Sequence, residues 1–452
     1  MNGPPPSSTA SERDVVRVSS VAAVAASIEY YDFFIYGTAA ALVFPALFFP
    51  EQSTVTGLLL SFATFGVGFL ARPFGGVVFG HFGDSVGRKK TLVVALVLMG
   101  VVSTAIGLLP TYATIGIAAP LLLVTLRFLQ GISLGGQMGG VILLATEAAP
   151  PRRRGFFGSF SSIGAPGGIL LANLVFLLVT ALVSEEALME WAWRIPFLLS
   201  LAPIALALYV HTRLEDTPAF RRLQENRGAP ATGAPARPRR SPVMTVLRTH
   251  PREVALAVGS YIGLNVTYYV FVTFVISYGT IVADVPRTTL LTAVLIGSLG
   301  QCIGLPLAGA LSDRYGRRGI QMVGAVATAA FGFVLFPAVN TGSFWVISAA
   351  LVLGLGFVHS LMYGVQPAFF SEAFSTEVRY SGVSLGIQIA SVLGGGFAPL
   401  IATALAASYG WPSVAVYMAV ACAVSFVAVH LLGRRRDTAG QEQERSGEAV
   451  TS

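Results

Sequence analysis

The sequence predicts an all-α membrane protein with twelve transmembrane helices arranged as two six-helix halves. Three observations carry that prediction. The chain of 452 residues is 54% hydrophobic and 11% charged, with a mean hydropathy of +0.71, whereas a soluble chain carries about 25% charged residues. Apolar runs of about 18 residues or more, each long enough to cross ~30 Å of hydrocarbon, recur along almost the whole length. A charged loop also occurs twice: GHFGDSVGRKK, from Gly80 to Lys90, returns as GALSDRYGRRG, from Gly309 to Gly319. Alignment superimposes Asp84 on Asp313, Gly87 on Gly316 and Arg88 on Arg317. A second pair follows in the same order, Glu147 with Arg154 and Glu372 with Arg379. Motifs recurring in one order half a chain apart mark a duplicated unit.

The first six spans are expected at roughly 19–44, 57–80, 91–110, 115–146, 156–182 and 194–212. The second six are expected at roughly 253–282, 289–311, 320–338, 343–370, 381–406 and 411–433. Backbone polar groups in lipid must be satisfied within a segment, and no run shows the alternation of a barrel strand, so each span is a helix. The halves therefore cover 19–214 and 251–435. Between them, 215–250 is a linker, rich in Arg, Pro, Ala and Gly from Glu215 to Pro242. Residues 1–18 and 436–452 are polar and expected to be disordered. The N-terminal stretch is no signal peptide, because the run that follows is too long and contains Glu29 and Asp32.

The net charge of +7 is placed as a membrane protein places it, not as a nucleic-acid binder does. Arginines cluster in alternate loops, at Arg88, Arg152 to Arg154, Arg213 to Arg252, Arg314 to Arg318 and Arg434 to Arg436. The intervening loops carry Glu51, Glu185, Glu186, Glu190 and Asp284, against Arg194 and Arg287. That asymmetry puts the basic loops and both termini on the cytoplasmic side, and the abundance of Ala, Gly and Val and of Arg over Lys points to a GC-rich bacterial genome, hence a bacterial inner membrane. Cys302 and Cys422 lie within apolar runs, so neither a disulfide framework nor metal-ligand spacing is expected. With no catalytic triad, nucleotide loop or metal cluster, the sequence argues against an enzyme and calls for no cofactor.

Two six-helix halves with the same inside-facing ends, related by an axis along the membrane normal, are the arrangement of the major facilitator superfamily. GHFGDSVGRKK resembles that superfamily's signature loop between helices 2 and 3. RFLQGISLGG, from Arg127 to Gly136, resembles its helix 4 signature. More narrowly, EYYDFFIYG (Glu29 to Gly37), FLARPFGG (Phe69 to Gly76) and ATEAAPPRRRGFFGS (Ala145 to Ser159) resemble the metabolite:proton symporter family, and within it shikimate transporters most. The resemblance spans about residues 20–435. It implies import of a small organic acid with protons by a monomer, through a midplane site reached by alternating access. It also implies a Glu where this chain has Gln137; glutamine does not titrate, which leaves uniport or a different substrate as alternatives.

A charge at the bilayer centre costs roughly 2.5–3.5 kcal/mol on insertion scales, so each one demands a reason. In the first span Glu29, Asp32 and Tyr36 share a face at helical spacing, which suits a proton-accepting carboxylate, chiefly Asp32, with Tyr36 shaping the site; the alternative is a structural ion pair. In the fourth, Arg127, Gln130 and Gln137 lie on one stripe. Arg127 is placed either to fork onto a substrate carboxylate or to pair with Asp32. In the second half, Asn265, Tyr268, Tyr269 and Thr273 offer uncharged polar groups that suit substrate hydroxyls. His359, Tyr363 and Gln366 recur at i, i+4, i+7 spacing, and Gln388 is a weaker candidate. Arg72, beside Pro73, reads as structural. The repeated loops read as a two-state latch: Asp84, Arg88, Glu147 and Arg154 with Asp313, Arg317, Glu372 and Arg379, the aspartates meeting arginines or a helix N-terminus of the opposite half. The rival functions are a zwitterionic osmolyte importer, a dicarboxylate symporter and a drug-type exporter. A non-transporting receptor would need a signalling domain, for which the linker and tail leave no room.

Overall fold

The computed structural model describes the backbone of residues 12–85, 88–137, 151–202, 251–373 and 379–451. The first half comprises α1 (Glu12–Leu42), α2 (Thr54–Ser85), α3 (Arg88–Leu108), α4 (Ala118–Gln137), α5 (Arg154–Leu182) and the start of α6 from Ile195. The second comprises α7 (Pro251–Ile281), α8 (Arg287–Tyr315), α9 (Arg317–Asn340), α10 (Phe344–Phe370), α11 (from Arg379 to Tyr409) and α12 (Trp411–Thr451). Nine of these are long and apolar enough to span a bilayer among the described residues. The other three, α1, α3 and α6, are described only in part: the side chains of residues 12–22 in α1 and 88–92 in α3, and α6 beyond residue 202, lie outside the described residues.

Two helix ends depart from the sequence expectation. The first helix starts at Glu12 and the last continues to Thr451, although 1–18 and 436–452 were expected to be disordered. Hydropathy marks where lipid begins, whereas a helix continues as long as its residues favour it. Gln441, Glu442, Gln443, Glu444, Arg445 and Ala449 are all good helix formers. The linker expected at 215–250 lies outside the described residues.

Within the first half α2 packs along α4 and α1 along α5; within the second α7 and α9 pack along α12 and α8 along α10. Across the halves, α5 meets α8 and α2 meets α11. Under a six-helix repeat those two contacts are the same pair seen twice, since 5 maps onto 11 and 2 onto 8. Glycine makes the α2–α4 seam possible. A Cβ on Gly131 would strike the carbonyl of Gly68, one on Gly75 that of Ile132, and one on Gly135 that of Arg72, so the two backbones run in direct contact.

The apolar stretch of α7 is 72% buried, against 39% for α9. That is the burial of a helix enclosed between two halves rather than facing lipid. Three helices of the second half also carry π-helical turns: Val270–Phe274 in α7, Val352–Val358 in α10 and Ser391–Gly396 in α11. Each adds a residue to its turn and re-aims the side chains beside it, a feature concentrated at functional sites.

Candidate functional site

A cavity of about 80 Å³ lies where α1, α2 and α5 of the first half face α7, α10 and α11 of the second. Its walls hold five tyrosines, Tyr30, Tyr261, Tyr268, Tyr269 and Tyr363, together with Arg72, Ser161, Ser162, Asn265, Gln366 and Ser391. The guanidinium is the one charged group on these walls among the described residues. The tyrosines come from α1, α7 and α10, and the Tyr269 hydroxyl faces Arg72. Gln366 is held from behind, accepting from Gln321 Nε2 of α9 and donating to Ser260 Oγ of α7 at 3.4 Å.

Several polar atoms on these walls are buried without a hydrogen-bond partner in the protein: Nε and Nη2 of Arg72, Nδ2 of Asn265 and the hydroxyl of Tyr268. Each can donate, and an unmet buried donor costs about 1–3 kcal/mol. Their convergence on one cavity marks a site for a ligand rich in acceptor oxygens. Arg72 is the main departure from the sequence expectation. It reads as a structural residue beside a proline, yet it is 2% exposed and supplies the cation of the cavity. Gln366 is also on the wall, on the stripe of His359 and Tyr363.

Above the cavity, away from the basic loops, an aromatic layer joins the halves. Phe33 of α1, Phe65 and Phe69 of α2, and Tyr269 of α7 interlock. The ring centroids are 5.0 Å apart for Phe33–Phe69, 5.3 Å for Phe65–Phe69 and 5.3 Å for Phe69–Tyr269. Gly396 of α11 closes the layer: its carbonyl lies 3.0 Å from where a Cβ on Gly66 would be. Arg72 rests on Phe33 and Phe69, at 4.3 and 4.1 Å from the ring centres. Arg127, completely buried, rests on Phe33 and Tyr36 at 4.2 Å each and on Phe65 at 4.8 Å. Each such contact returns about 0.5–2 kcal/mol, comparable to the insertion cost of the charge, so the rings make both arginines tolerable.

The other expected site residues divide into wall and backing. Asn265, Tyr269 and Tyr363 line the cavity; Asp32, Tyr36, Arg127, Gln130, His359 and Gln388 do not. Arg127 makes no ion pair with Asp32; it donates to Gln130 Oε1 instead. Gln130 in turn donates to the backbone carbonyl of Asp32 at 3.0 Å and to Ser103 Oγ at 2.8 Å. Tyr36 donates to Thr64 Oγ1 at 2.6 Å. The Asp32 carboxylate is 4% exposed, faces Ser200 of α6, and leaves Oδ1 without a hydrogen bond. His359 accepts at Nδ1 from Gln301 at 3.0 Å and donates from Nε2 to the Leu264 carbonyl at 3.1 Å. It therefore supports Tyr268, whose ring centre is 5.6 Å away, rather than meeting a ligand. The side chains of Glu29 and Gln137 lie outside the described residues.

Both ends of the interface between the halves carry a polar contact that joins them. At the basic-loop end, Asp313 of α8 accepts from the backbone N–H of Gly155 at 2.8 Å and of Phe156 at 2.9 Å, capping the N-terminus of α5 in the other half. Arg317 holds the same carboxylate at 3.3 Å. A Cβ on Gly155 or Gly309 would collide with the other glycine's carbonyl, so the helices touch there. This is the helix-terminus contact expected for Asp313. The side chains of its counterparts Asp84, Arg88, Glu372 and Arg379, and Glu147 altogether, lie outside the described residues, while Arg154 begins α5. At the opposite end Arg287 of α8 pairs with Glu185 at 3.3 Å, with Glu185 73% exposed. An exposed pair of that kind contributes about 0–1 kcal/mol, less than the shielded cap.

Comparison with known proteins agrees with this architecture. A family model described as Major Facilitator Superfamily matches residues 23–387. An inner membrane metabolite transport protein of Escherichia coli is 39% identical over 94% of this chain and 95% of its own. The shikimate transporter of the same species is 38% identical over 90% and 92%. A proline/betaine transporter of Salmonella typhimurium is 34% identical over 86% and 77%. Among solved structures, a D-xylose-proton symporter superposes with a TM-score of 0.69 at 17% identity, over 92% of this chain and 97% of that one.

Proposed function

Because this chain belongs to the major facilitator superfamily and is a multi-pass metabolite transporter rather than an enzyme, we propose that its cargo is a small hydroxylated monocarboxylate of the shikimate or hydroxy-aromatic type, imported with a proton. One observation carries the reading: a single guanidinium and further unmatched donors converge on a tyrosine-walled cavity that has no carboxylate among its described lining residues. One cation matches one carboxylate. The tyrosine faces stack on a ring, while Asn265 and Tyr268 meet its hydroxyls.

The basic-loop end is the cytoplasmic one in this scheme. With the opposite end open, a proton reaches Asp32 and an anion reaches Arg72, so the pair enters without net charge. Asp32 is a carboxylate buried within the first span and an intramembrane acid demands a functional reason, which makes it the candidate coupling group. The Arg287–Glu185 side then closes, the Asp313 cap releases, and both solutes leave to the cytoplasm.

The tyrosines also suit a quaternary ammonium, and a proline/betaine transporter is among the relatives. A betaine, however, carries no hydroxyl oxygens for Asn265 and Tyr268. Uptake of labelled shikimate into proteoliposomes, challenged with unlabelled hydroxylated ring acids, dicarboxylates and betaines, separates these readings. Inhibition by ring monocarboxylates alone is expected. Inhibition by betaine with none by ring acids would overturn the assignment.

A further inference from the structure

Arg127 poses a problem that the cavity does not solve. It is fully buried, its Nε and Nη2 have no acceptor, and among the described residues no carboxylate lies within ion-pair distance. Its guanidinium rests on three rings, Phe33, Tyr36 and Phe65. One of those rings, Phe33, is also the platform of Arg72. The two cations are offset along the transport axis. Arg127 packs against the backbone of Gly68, one helical turn from Arg72 on α2, or about 6 Å towards the end opposite the basic loops. Its second platform, Tyr36, is likewise displaced from Phe33 towards that end of α1.

We propose that Arg127 is a second anion-binding station, met by a carboxylate entering from the end opposite the basic loops before it reaches Arg72. Phe33 is the divider between the two. In the conformation described here the aromatic layer covers Arg127 and leaves Arg72 on the cavity. When the opposite end opens, Phe33 and Phe65 move off Arg127, and Nε and Nη2 present a fork to the incoming carboxylate. As the rings return, the anion passes to Arg72. The Arg127–Gln130–Asp32 backbone chain fixes the fork at the level of the coupling carboxylate.

This rests on the anion reading above, and the test keeps the two apart. In proteoliposomes of one insertion orientation, half-saturation for labelled shikimate and labelled 4-hydroxybenzoate is measured separately from each face during exchange. Arg127→Gln is expected to raise it about tenfold from the face opposite the basic loops and to leave it within about twofold from the basic-loop face. Arg127→Lys, which keeps the charge but not the fork, is expected to give a smaller rise on the same face. A merely structural Arg127 would lower the amount of active protein without shifting half-saturation from one side only. Equal effects on both faces, or none, would overturn the second station while leaving the anion reading in place. Wild-type protein that exchanges no carboxylate would overturn both.

Discussion

Tyr268 shows how much a single hydroxyl decides. Its ring is fixed between Phe34, His359 and Tyr363, but its hydroxyl has no partner in the protein. Removing that oxygen therefore costs the fold little and costs a hydroxylated ligand one hydrogen bond. Tyr268→Phe is expected to raise the half-saturation for shikimate about tenfold, equivalent to roughly 1.4 kcal/mol, and to leave that for cyclohexanecarboxylate unchanged. Competition assays on both acids check this; equal losses for the two would mean that the hydroxyl reads nothing. At this scale the sequence was legible where spacing is informative. Asn265, Tyr269 and Tyr363 stand out as polar groups on apolar helices, and all three line the cavity. Arg72 was not legible, because periodicity gives a residue's face but not what faces it. The proline that follows it suggested a purely local role. Arg127 was legible as a buried charge, whereas its aromatic platform came from three other positions on two helices.

Among the elements, the Asp313 cap on α5 is a contact that joins the basic-loop ends of the halves. It satisfies two backbone N–H groups that α5 leaves unpaired at its start and sets a negative charge against the positive end of the helix. Asp313→Asn keeps one acceptor and loses the charge, at a cost of about 1–2 kcal/mol. The balance should therefore shift about five- to thirtyfold towards opening at that end. Labelling of a Ser161→Cys probe from the basic-loop face, in a chain with Cys302 and Cys422 replaced by serine, is expected to speed up accordingly. An unchanged labelling rate would show that the cap does not hold the halves. The repeated motif singled out Asp313 in the sequence, since a duplicated loop implies a duplicated task. The π turns of α7, α10 and α11 left no comparable trace, because they arise from packing between helices and not from any residue pattern.

For the whole molecule, fold and duplication were readable from composition, span length and one repeated loop, because lipid imposes the same requirement on every segment. Which conformation the halves adopt depends on small differences among latches, rings and bound charge, and no linear pattern encodes that difference. The structure places the cavity between the aromatic layer on one side and the Asp313 cap on the other. A transporter built so must close one barrier behind the cargo before it releases the other. In the proposed cycle the proton on Asp32 and the anion at the guanidiniums make closure possible together, so an inward proton gradient should concentrate the cargo. The decisive measurement is uptake of labelled shikimate into proteoliposomes with and without an inward proton gradient, for the wild type and Asp32→Asn. The account predicts gradient-driven accumulation by the wild type, and only equilibration, with exchange preserved, by the variant. Accumulation that persists in Asp32→Asn would contradict Asp32 as the coupling group, and equilibration without accumulation by the wild type would contradict proton-driven import itself.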